Sequence, residues 1–386
     1  MPKKILLTSA KANMIWQFNK RNIKILQSLR FQVHVATNFE QFGSMSADEN
    51  EKLKKWMHEN GVIAHQVDYL RKLGSMSANL KSYRQLREII KTNHIDVIHA
   101  HSHMAGVLGR LAAHKEGIPA IYTPHGFYFF RGGPKKNWLI YPIEKFLSRY
   151  TDTLITIDKE EYDIARKHFD ANRVVLIPGV GVDVVGAIAF SLEKKQRIRE
   201  NTRCVLGLSD GDFAILSVGE LSHRKNQEVI LRAVAKLHNP RIKILVAGVG
   251  PLKSYLINLA KQLGISHQLQ LLGYRNDLRA LHFATDLFVF PSLREGLALA
   301  GLEAIVDGER IIGANIRGIR DYIIPSCGTM CQPRNIRQIS ELILDEMQPN
   351  RLSRINDKDI QNFFSSFDCG AVDSQMRDCY VLYAAK

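Results

Sequence analysis

Residues 287–306 read LFVFPSLREGLALAGLEAIV, an apolar run that passes through a short polar loop into a second apolar stretch. The pattern predicts a buried strand, a loop, and a helix that opens at the carboxyl end of the strand. The unpaired N–H groups and the positive dipole of that helix would face outward there, which favours a phosphate site. Glu295 lies before or at the first turn, and Glu303 about two turns into the helix.

These two carboxylates have two interpretations. Carboxylate oxygens accept hydrogen bonds, so Glu295 from the loop and Glu303 from the helix would suit the hydroxyls of a ribose or a sugar. In the structural alternative, Glu295 forms a capping box with Ser292, and Glu303 is a solvated helix carboxylate. Spacing alone leaves both open and slightly favours the alternative.

Ten further apolar runs predict strands of the same kind, and helical segments separate them. The runs are nearly continuous, which is typical of strands covered by helices on both faces. Eleven strands exceed one comfortable sheet, so we predict an α/β chain with two Rossmann-like, doubly wound parallel-sheet domains. The ten runs are residues 5–8, 32–37, 96–101, 120–124, 153–157, 174–178, 213–218, 242–247, 269–272 and 310–314.

The domain boundary is predicted near residues 178–200, where PGVGVD ends one strand and a charged helical segment precedes the next set. This gives an N-terminal domain over residues 1–185 and a C-terminal domain over residues 186–365. Residues 366–386 contain a last helical stretch, at 373–385, which we expect to pack back on the first domain.

Composition excludes several classes of protein. The 386 residues are 45% hydrophobic and 24% charged, which is typical of a soluble globular chain. No apolar run reaches 18 residues, and the apolar run after Lys3 and Lys4 is too short for a secretory signal. Five cysteines give no disulfide framework, so we expect a cytoplasmic protein. Cys327 and Cys331 have a C-x-x-x-C spacing, but without a partner pair we interpret them as buried thiols rather than zinc ligands.

The net charge of +15 is concentrated in the first half of the chain. A basic surface attracts nucleic acid, an anionic membrane or a phosphorylated ligand. Residues 14–30 and 131–150 mix basic and aromatic side chains, which suits helices lying on an anionic membrane. The alternative is an amphipathic helix packed on its own sheet with a solvated basic face.

Two common nucleotide motifs are missing from the sequence. Gly248-Val-Gly250 lacks the third glycine of a dinucleotide fingerprint, and no G-x-x-x-x-G-K-[ST] is present.

Several segments together resemble one known family. Glu295-x7-Glu303, the stretch SVGELSHRKN at 217–226, VAGVGP at 246–251, LGYR at 272–275 and ATDLFVFPS at 284–292 are similar to its C-domain landmarks. In the first half DVIHAHS at 96–102, YTPHGF at 122–127 and IPGVGVD at 177–183 are similar to its N-domain landmarks. The family is the GT-B retaining glycosyltransferases of family 4, in the branch that builds bacterial surface polysaccharides such as capsule or O-antigen.

The resemblance implies two Rossmann-like domains facing a cleft, and roles for individual residues. Lys225 and Arg224 would meet the donor diphosphate, Glu303 the ribose, and Glu295 the hydroxyls of the donor sugar. The backbone of Leu299 and Ala300 would complete the anion site, with Gly219, Gly248 and Tyr274 also on the donor side. His125 would face the donor sugar across the cleft, with His101 and His103 near the acceptor.

A metal is the alternative for the histidines, because His99, His101 and His103 would share one face of an extended chain. We expect no metal ion and no cofactor beyond the nucleotide-sugar substrate. The sequence departs from the family where Glu220 replaces an arginine that many members have, and where Ser9 to Asn13 replace a glycine pair.

The expected function is transfer of a hexose or N-acetylhexosamine, most simply from a UDP-sugar, to a hydroxyl of a lipid-linked glycan with retention. The enzyme would lie on the inner face of the cytoplasmic membrane. Alternatives are a UDP-sugar 2-epimerase of the same fold and an inactive glycosyltransferase-like partner. A nucleic-acid-binding role is disfavoured because no recognition helix or aromatic sheet surface is recognisable. The sequence does not predict the oligomeric state.

Overall fold

The computed structural model describes residues 2–43, 45–70, 76–348 and 354–384. It divides into two compact units, Met1–Val180 with Val372–Lys386, and Gly181–Ala371. We predicted boundaries after residues 185 and 365, whereas the units divide after Val180 and after Ala371. We call them unit 1 and unit 2.

Unit 1 contains a parallel sheet of seven strands in the order β3-β2-β1-β4-β5-β6-β7. In this sheet Ile5 of β1 pairs with Val33 of β2 on one side and with Val97 of β4 on the other. Central strands are buried on both faces, as their continuous apolar sequences require. The strands are β1 Lys4–Ser9, β2 Gln32–Thr37, β3 Ile63–Gln66, β4 Val97–His101, β5 Ala120–Thr123, β6 Thr153–Thr156 and β7 Arg173–Leu176.

Helices cover both faces of this sheet. Side chains of successive residues in β1 accordingly pack into two different hydrophobic cores. Ile5 and Leu7 pack with Ile23, whereas Leu6 packs with Leu86 and Ile98. The helices of unit 1 before Val180 are α1 Ala12–Phe18, α2 Lys20–Ser28, α3 Ala47–Glu59, α4 Met76–Asn93, α5 His103–Glu116, a 3-10 helix Lys135–Ile140, α6 Tyr141–Ser148 and α7 Lys159–His168.

Unit 2 contains a parallel sheet of six strands in the order β10-β9-β8-β11-β12-β13. Its strands are β8 Phe213–Val218, β9 Ile242–Ala247, β10 Leu269–Gly273, β11 Leu287–Phe290, β12 Ile311–Ala314 and β13 Gly328–Cys331. Its helices are α8 Val184–Ile188, α9 Leu192–Val205, α10 Glu228–Leu237, α11 Lys253–Gln262, α12 Leu278–Ala284, α13 Leu299–Val306, α14 Ile336–Glu346 and α15 Asp357–Phe364.

The last helix, α16 Cys369–Val381, places Val372, Met376 and Tyr380 in the core of unit 1 beside Ile5 and Leu7. Residue 385, the end of the helical stretch that we predicted, lies outside the described residues.

The predicted fold class is confirmed, and all eleven predicted strands are present within one or two residues of their bounds. Two strands were missed, β3 and β13, and both lie at a sheet edge. Edge strands need little burial: most side chains of β3 are exposed, and β13 buries only its end residues. Cys327 and Cys331 are both buried, as the thiol interpretation predicts.

Candidate functional site

The donor-side residues of unit 2 lie on two loops at the carboxyl ends of β8 and β11. Strand order reverses here, since β8 pairs with β9 on one side and β11 on the other, and such a crevice is where open α/β sheets bind ligands. The two loops are tied together, because the Leu293 N–H donates to the Arg224 carbonyl at 2.8 Å. The Asn226 side-chain amide donates to the Pro291 carbonyl at 3.0 Å.

Glu295 is buried between two cations in this crevice. Arg224 Nη1 lies 2.9 Å from each Glu295 carboxylate oxygen, and Lys225 Nζ lies 2.9 Å from Oε1. Burial lowers the pKa of Lys225, and the Glu295 carboxylate opposes that shift. The predicted diphosphate-binding cations and the predicted sugar-binding carboxylate therefore form one ion-paired cluster.

The capping-box alternative for Glu295 is wrong. Helix α13 begins at Leu299, so Glu295 lies in the loop rather than in a first turn. The Ser292 hydroxyl oxygen is buried and has no hydrogen-bond partner among the described residues. Glu295 instead forms ion pairs with Arg224 and Lys225, so it does not cap the N-terminus of α13.

Glycines let the strand ends approach one another beneath this cluster. Gly219 and Gly248 have φ angles of +145° and +151°. A Cβ on Gly219 would lie 2.8 Å from Lys225 Cε, and one on Gly248 only 1.9 Å from the Gly219 carbonyl oxygen. These positions require glycine because a side chain would displace Lys225 or the neighbouring strand end.

The first turn of α13 is available to an anion. Ala298 at its N-cap makes no side-chain capping hydrogen bond, and Leu299 and Ala300 are half-buried. First-turn N–H groups have no partner within a helix, so a phosphate oxygen can accept from them. Tyr322 supports the turn from behind by donating its hydroxyl to the Ala298 carbonyl at 3.1 Å.

Glu303 lies little more than one turn into α13, not two turns as predicted, since the helix begins at Leu299. It is half-buried and lines an open cavity of about 560 Å³, so it is not a solvated surface carboxylate. Burial and the neighbouring Asp307 raise the pKa of Glu303 to about 7, although Arg279 opposes the shift. The cavity is also lined by Val182, Asp183, Asn276, Leu278, Arg279, His282, Val306 and Asp307.

Sequence reasoning missed a charged network behind Glu303. Asp307 accepts from Arg279 Nε at 2.7 Å and faces His282 Nδ1 at 2.7 Å. Arg279 also donates to Asp183 Oδ2 at 3.2 Å. The spacing of Glu303 and Asp307, four residues apart at the end of one helix, was the available signal.

Two other donor-side positions are exposed. Tyr274 follows β10 with 78% of its surface accessible. Glu220 is exposed as well, and its backbone carbonyl accepts from the Gln227 amide at 3.0 Å. Arg224 is thus the arginine that the structure places beside Lys225 and Glu295.

The histidines of unit 1 meet at the carboxyl edge of its sheet. His125 follows β5 and has a left-handed backbone, with φ of 57°. His101, at the end of β4, is buried, and its Nδ1 lies 3.0 Å from His125 Nε2. Burial lowers the pKa of His125 to about 4 and that of His101 well below its ordinary value, so both rings are neutral at pH 7.

His99 and His103 do not join His101 in a row. Both ring nitrogens of His99 are hydrogen-bonded, to the Tyr380 hydroxyl at 2.8 Å and the Thr123 hydroxyl at 2.9 Å. His103 begins helix α5, and its ring lies tilted against Tyr128 with centroids 4.0 Å apart. The expectation of one shared extended face is therefore wrong for His103. Within the described ranges no group of three or more His, Cys, Asp or Glu is suited to hold a metal.

Comparisons with known proteins identify the family. A "Glycosyl transferases group 1" model matches residues 198–368, and a "Glycosyl transferase 4-like domain" model matches residues 15–179. The chain is 33% identical over 330 residues to a putative glycosyltransferase, EpsD, of Bacillus subtilis, covering 84% of this chain and 81% of EpsD. The chain belongs to the GT-B glycosyltransferases of family 4.

Other similarities agree with this glycosyltransferase assignment. The chain is 32% identical over 270 residues to an Escherichia coli UDP-Gal:alpha-D-GlcNAc-diphosphoundecaprenol alpha-1,3-galactosyltransferase, covering 67% of this chain and 68% of that enzyme. A crystal structure of Anabaena Alr3699/HepE in complex with UDP and glucose matches with a TM-score of 0.76 at 18% identity, over 98% of this chain and 100% of HepE. The protein is therefore a glycosyltransferase of the bacterial polysaccharide biosynthesis type.

Proposed function

We propose that this glycosyltransferase transfers a hexose or N-acetylhexosamine from a UDP-sugar to a hydroxyl of a lipid-linked glycan, with retention at the anomeric carbon. The observation that carries the proposal is the Arg224–Lys225–Glu295 cluster beside the uncapped start of α13. The galactosyltransferase relative, named for UDP-Gal and a diphosphoundecaprenol acceptor, and HepE, with its bound UDP, support the choice of donor and acceptor.

In this proposal the donor diphosphate competes with Glu295 for the two cations. Arg224 and Lys225 supply the fixed positive charge that a departing diphosphate needs, and the first N–H groups of α13 add to it. Glu295, released from its ion pairs, can then accept hydrogen bonds from the donor sugar. Glu303 accepts from the ribose hydroxyls at the wall of its cavity.

The same residues make a metal ion unnecessary in the proposed reaction, since the side-chain cations lie where negative charge develops. Burial lowers the pKa of His125 to about 4, so we expect its neutral ring to contribute to transfer by hydrogen bonding rather than by abstracting a proton. Activity that persists in EDTA would support metal independence. An NMR assignment of the anomeric configuration in the product tests retention.

Ligand binding to the purified protein tests the donor site. Calorimetry with UDP, UDP-hexoses, UDP-N-acetylhexosamines and GDP-mannose should show binding of the uridine compounds. Binding should weaken in Lys225→Ala and Glu303→Ala. Lys261→Ala and Glu341→Ala are matched controls, because both side chains are exposed on other helices of unit 2.

The result would contradict the proposal if the folded protein bound none of these compounds. Conversion of a UDP-sugar into its 2-epimer without any acceptor would favour the epimerase alternative. Transfer to a synthetic diphosphoprenyl-linked sugar, followed by mass spectrometry, tests the acceptor class directly.

We also propose peripheral association with the inner face of the cytoplasmic membrane. The two basic aromatic stretches differ in whether their apolar side chains are exposed to a membrane. In residues 14–30, Ile15, Ile23 and Leu26 are buried in the core of unit 1. This apolar face is already covered, as the alternative for an amphipathic helix predicts. Within the described ranges, no helix is both long and apolar enough to cross a bilayer.

Residues 131–150 present the opposite arrangement. Trp138, Leu139, Ile143 and Phe146 are exposed by 38%, 74%, 42% and 48%. The same stretch carries exposed basic residues: Arg131, Lys135, Lys136, Lys145 and Arg149. Exposed apolar side chains interspersed with cations match the interface of an anionic membrane, so we assign membrane docking to this stretch.

Liposome flotation tests the assignment. The protein should float with vesicles containing phosphatidylglycerol and bind less to pure phosphatidylcholine. Leu139→Ser with Phe146→Ser should abolish flotation, whereas Leu192→Ser with Val205→Ser should not, since those exposed side chains lie on α9 of unit 2. Equal flotation of both double variants would contradict the assignment.

A further inference from the structure

A single hydrogen bond joins the rings of His101 and His125. The atoms are His101 Nδ1 and His125 Nε2, 3.0 Å apart, and both rings are neutral at pH 7. Only one of these two nitrogens carries a proton, because a neutral imidazole has one N–H and the bond needs one donor and one acceptor. The protonated nitrogen of each ring is therefore fixed by the other ring.

The surroundings of His101 favour one of the two arrangements. His101 is 1% exposed, and its Nε2 is buried with no hydrogen-bond partner among the described residues. If His125 Nε2 were the donor, the proton of His101 would be on Nε2, as a buried N–H without an acceptor. Buried N–H groups without acceptors are rare in proteins, more so than acceptors that lack a donor.

The other arrangement leaves only a lone pair unpaired. His101 then carries its proton on Nδ1 and donates to His125 Nε2, and His125 carries its proton on Nδ1. His125 is half-buried, and its Nδ1 makes no hydrogen bond to a described residue. The ring therefore offers an N–H donor to a ligand oxygen and not a lone pair.

His101 is itself held firmly. It ends strand β4, its ring lies 4.0 Å from that of His99, and His99 is bonded through both nitrogens to Thr123 and Tyr380. The backbone of His125 is restrained as well, since a non-glycine residue at φ of 57° is followed by Gly126 at 108°. These contacts fix the direction in which His125 Nδ1 points.

We propose that His101 is a positioning residue that holds His125 as its Nδ1–H tautomer, so that His125 acts in sugar transfer as a hydrogen-bond donor to a ligand oxygen. The role in transfer rests on the proposed function, whereas the tautomer is a property of the unliganded protein. We expected His101 near the acceptor; a buried ring bonded to His125 acts there through His125 rather than by contact with a ligand.

Long-range ¹H–¹⁵N NMR of the ring nitrogens, on full-length protein labelled with ¹⁵N-histidine, reads the tautomer directly. The His125 signal is assigned from its loss in His125→Asn. We expect a protonated Nδ1 and an unprotonated Nε2 in the wild type at pH 7.5. A protonated Nε2 would overturn the inference without bearing on donor binding.

Substitutions at His101 test the positioning role. In His101→Asn the amide nitrogen takes the place of Nδ1 and can still donate, so the His125 tautomer and most of the transfer rate should be retained. His101→Phe keeps the ring but not the donor, and the transfer rate should fall at least about tenfold, as on loss of other orienting partners. UDP affinity should stay unchanged in both.

The outcomes distinguish an error in the role of His101 from an error in the role of His125 in transfer. A His125 tautomer that is unchanged in His101→Phe would refute the role of His101. If His101→Phe is unfolded by circular dichroism, the wild-type spectrum alone decides the tautomer. The expected tautomer together with full activity of His125→Asn would leave the tautomer assignment standing and contradict the part of His125 in transfer.

Discussion

Glu303 and Asp307 stand one turn apart at the end of α13 and line the same cavity, yet among the described residues only the Asp307 carboxylate has side-chain partners. Arg279 and His282 both contact Asp307, whereas the carboxyl group of Glu303 makes no hydrogen bond or ion pair within the described residues. Burial and the nearby Asp307 raise the pKa of Glu303, so Glu303 holds its proton to a higher pH than an ordinary glutamate.

Donor affinity should therefore rise with pH through neutrality. The pKa of Glu303 is about 7, so the side chain is mostly protonated at pH 6 and mostly a carboxylate at pH 8. If the carboxylate is the form that accepts from the ribose, affinity increases about tenfold across this range. Calorimetry with a UDP-sugar measures it, because the phosphates of a UDP-sugar are diesters without a proton to lose near neutrality.

Glu303→Gln is the variant that isolates this effect. It should bind the donor more weakly at pH 8 and show an almost flat pH dependence between pH 6 and 8. Glu341→Gln, at an exposed position of α14, should keep the wild-type slope. A wild-type slope in Glu303→Gln would place the titrating group elsewhere.

Arg279 should set the midpoint of that pH dependence. Its guanidinium neutralises Asp307 and partly opposes the rise in the pKa of Glu303. In Arg279→Leu the uncompensated Asp307 raises the pKa of Glu303 further, so the affinity midpoint moves above pH 7. The same calorimetric series measures the shift, and Arg337→Leu, an exposed position of α14, is the control. An unchanged midpoint would show that Arg279 does not influence the pKa of Glu303.

Some parts of the fold and of the donor site could be predicted from the sequence, and others could not. The central strands could be predicted because burial on both faces demands continuous apolar runs, whereas the exposed edge strand β3 carries no such signature. The resemblance of their segments to the family, rather than a spacing rule, predicts Arg224, Lys225 and Glu295 as donor-side residues, and all three follow strands that end at one sheet edge. Their pairing with one another could not be predicted, since it depends on loop conformations that only tertiary contacts fix.

Sequence patterns could not predict the contacts of Asp307 or the pairing of His101 with His125, because the partners are far apart in the chain. Arg279 and Asp307 are 28 residues apart, and His101 and His125 are 24 residues apart. No periodicity links such positions. Only the packing of neighbouring elements in each unit brings their side chains into contact.

Glu295 and the donor diphosphate should compete for the same two cations. Glu295→Gln removes the charge that occupies Arg224 and Lys225 in the unliganded protein, so affinity for UDP should stay the same or increase. Transfer should nevertheless slow, because the sugar loses a charged acceptor. Calorimetry with UDP and initial transfer rates measure the two effects, and a loss of UDP affinity would contradict the competition.

Lys225→Met should differ from Glu295→Gln in its effect on UDP affinity. It removes charge that the departing diphosphate needs, so both UDP affinity and transfer rate should fall, the latter by about 10²–10³-fold. Combined with Glu295→Gln, the effects on UDP affinity and on transfer rate should not be additive, since the two side chains are in contact. Additive effects would show that the contact has no part in donor binding.

Gly248 should not tolerate a side chain. A second glycine, Gly264, serves as a control that has a positive φ but no steric clash. Gly264 also has a positive φ, of +72°, but a Cβ there would meet nothing within 4 Å. Gly264→Ala therefore reports the backbone cost alone, about 1 kcal/mol in the free energy of unfolding. Gly248→Ala adds a clash with the Gly219 carbonyl and a φ of +151°, far outside the left-handed region that alanine adopts, and should cost roughly 1–3 kcal/mol more.

Urea-unfolding midpoints of the full chain measure both effects, and UDP calorimetry shows their functional consequence. Because Gly219 lies against Lys225, moving the end of β8 to accommodate a Cβ at Gly248 shifts the cation that the diphosphate needs. UDP affinity should fall in Gly248→Ala and stay unchanged in Gly264→Ala. Equal stability and equal affinity in the two variants would mean that β8 and β9 can separate without disturbing the Lys225 side chain.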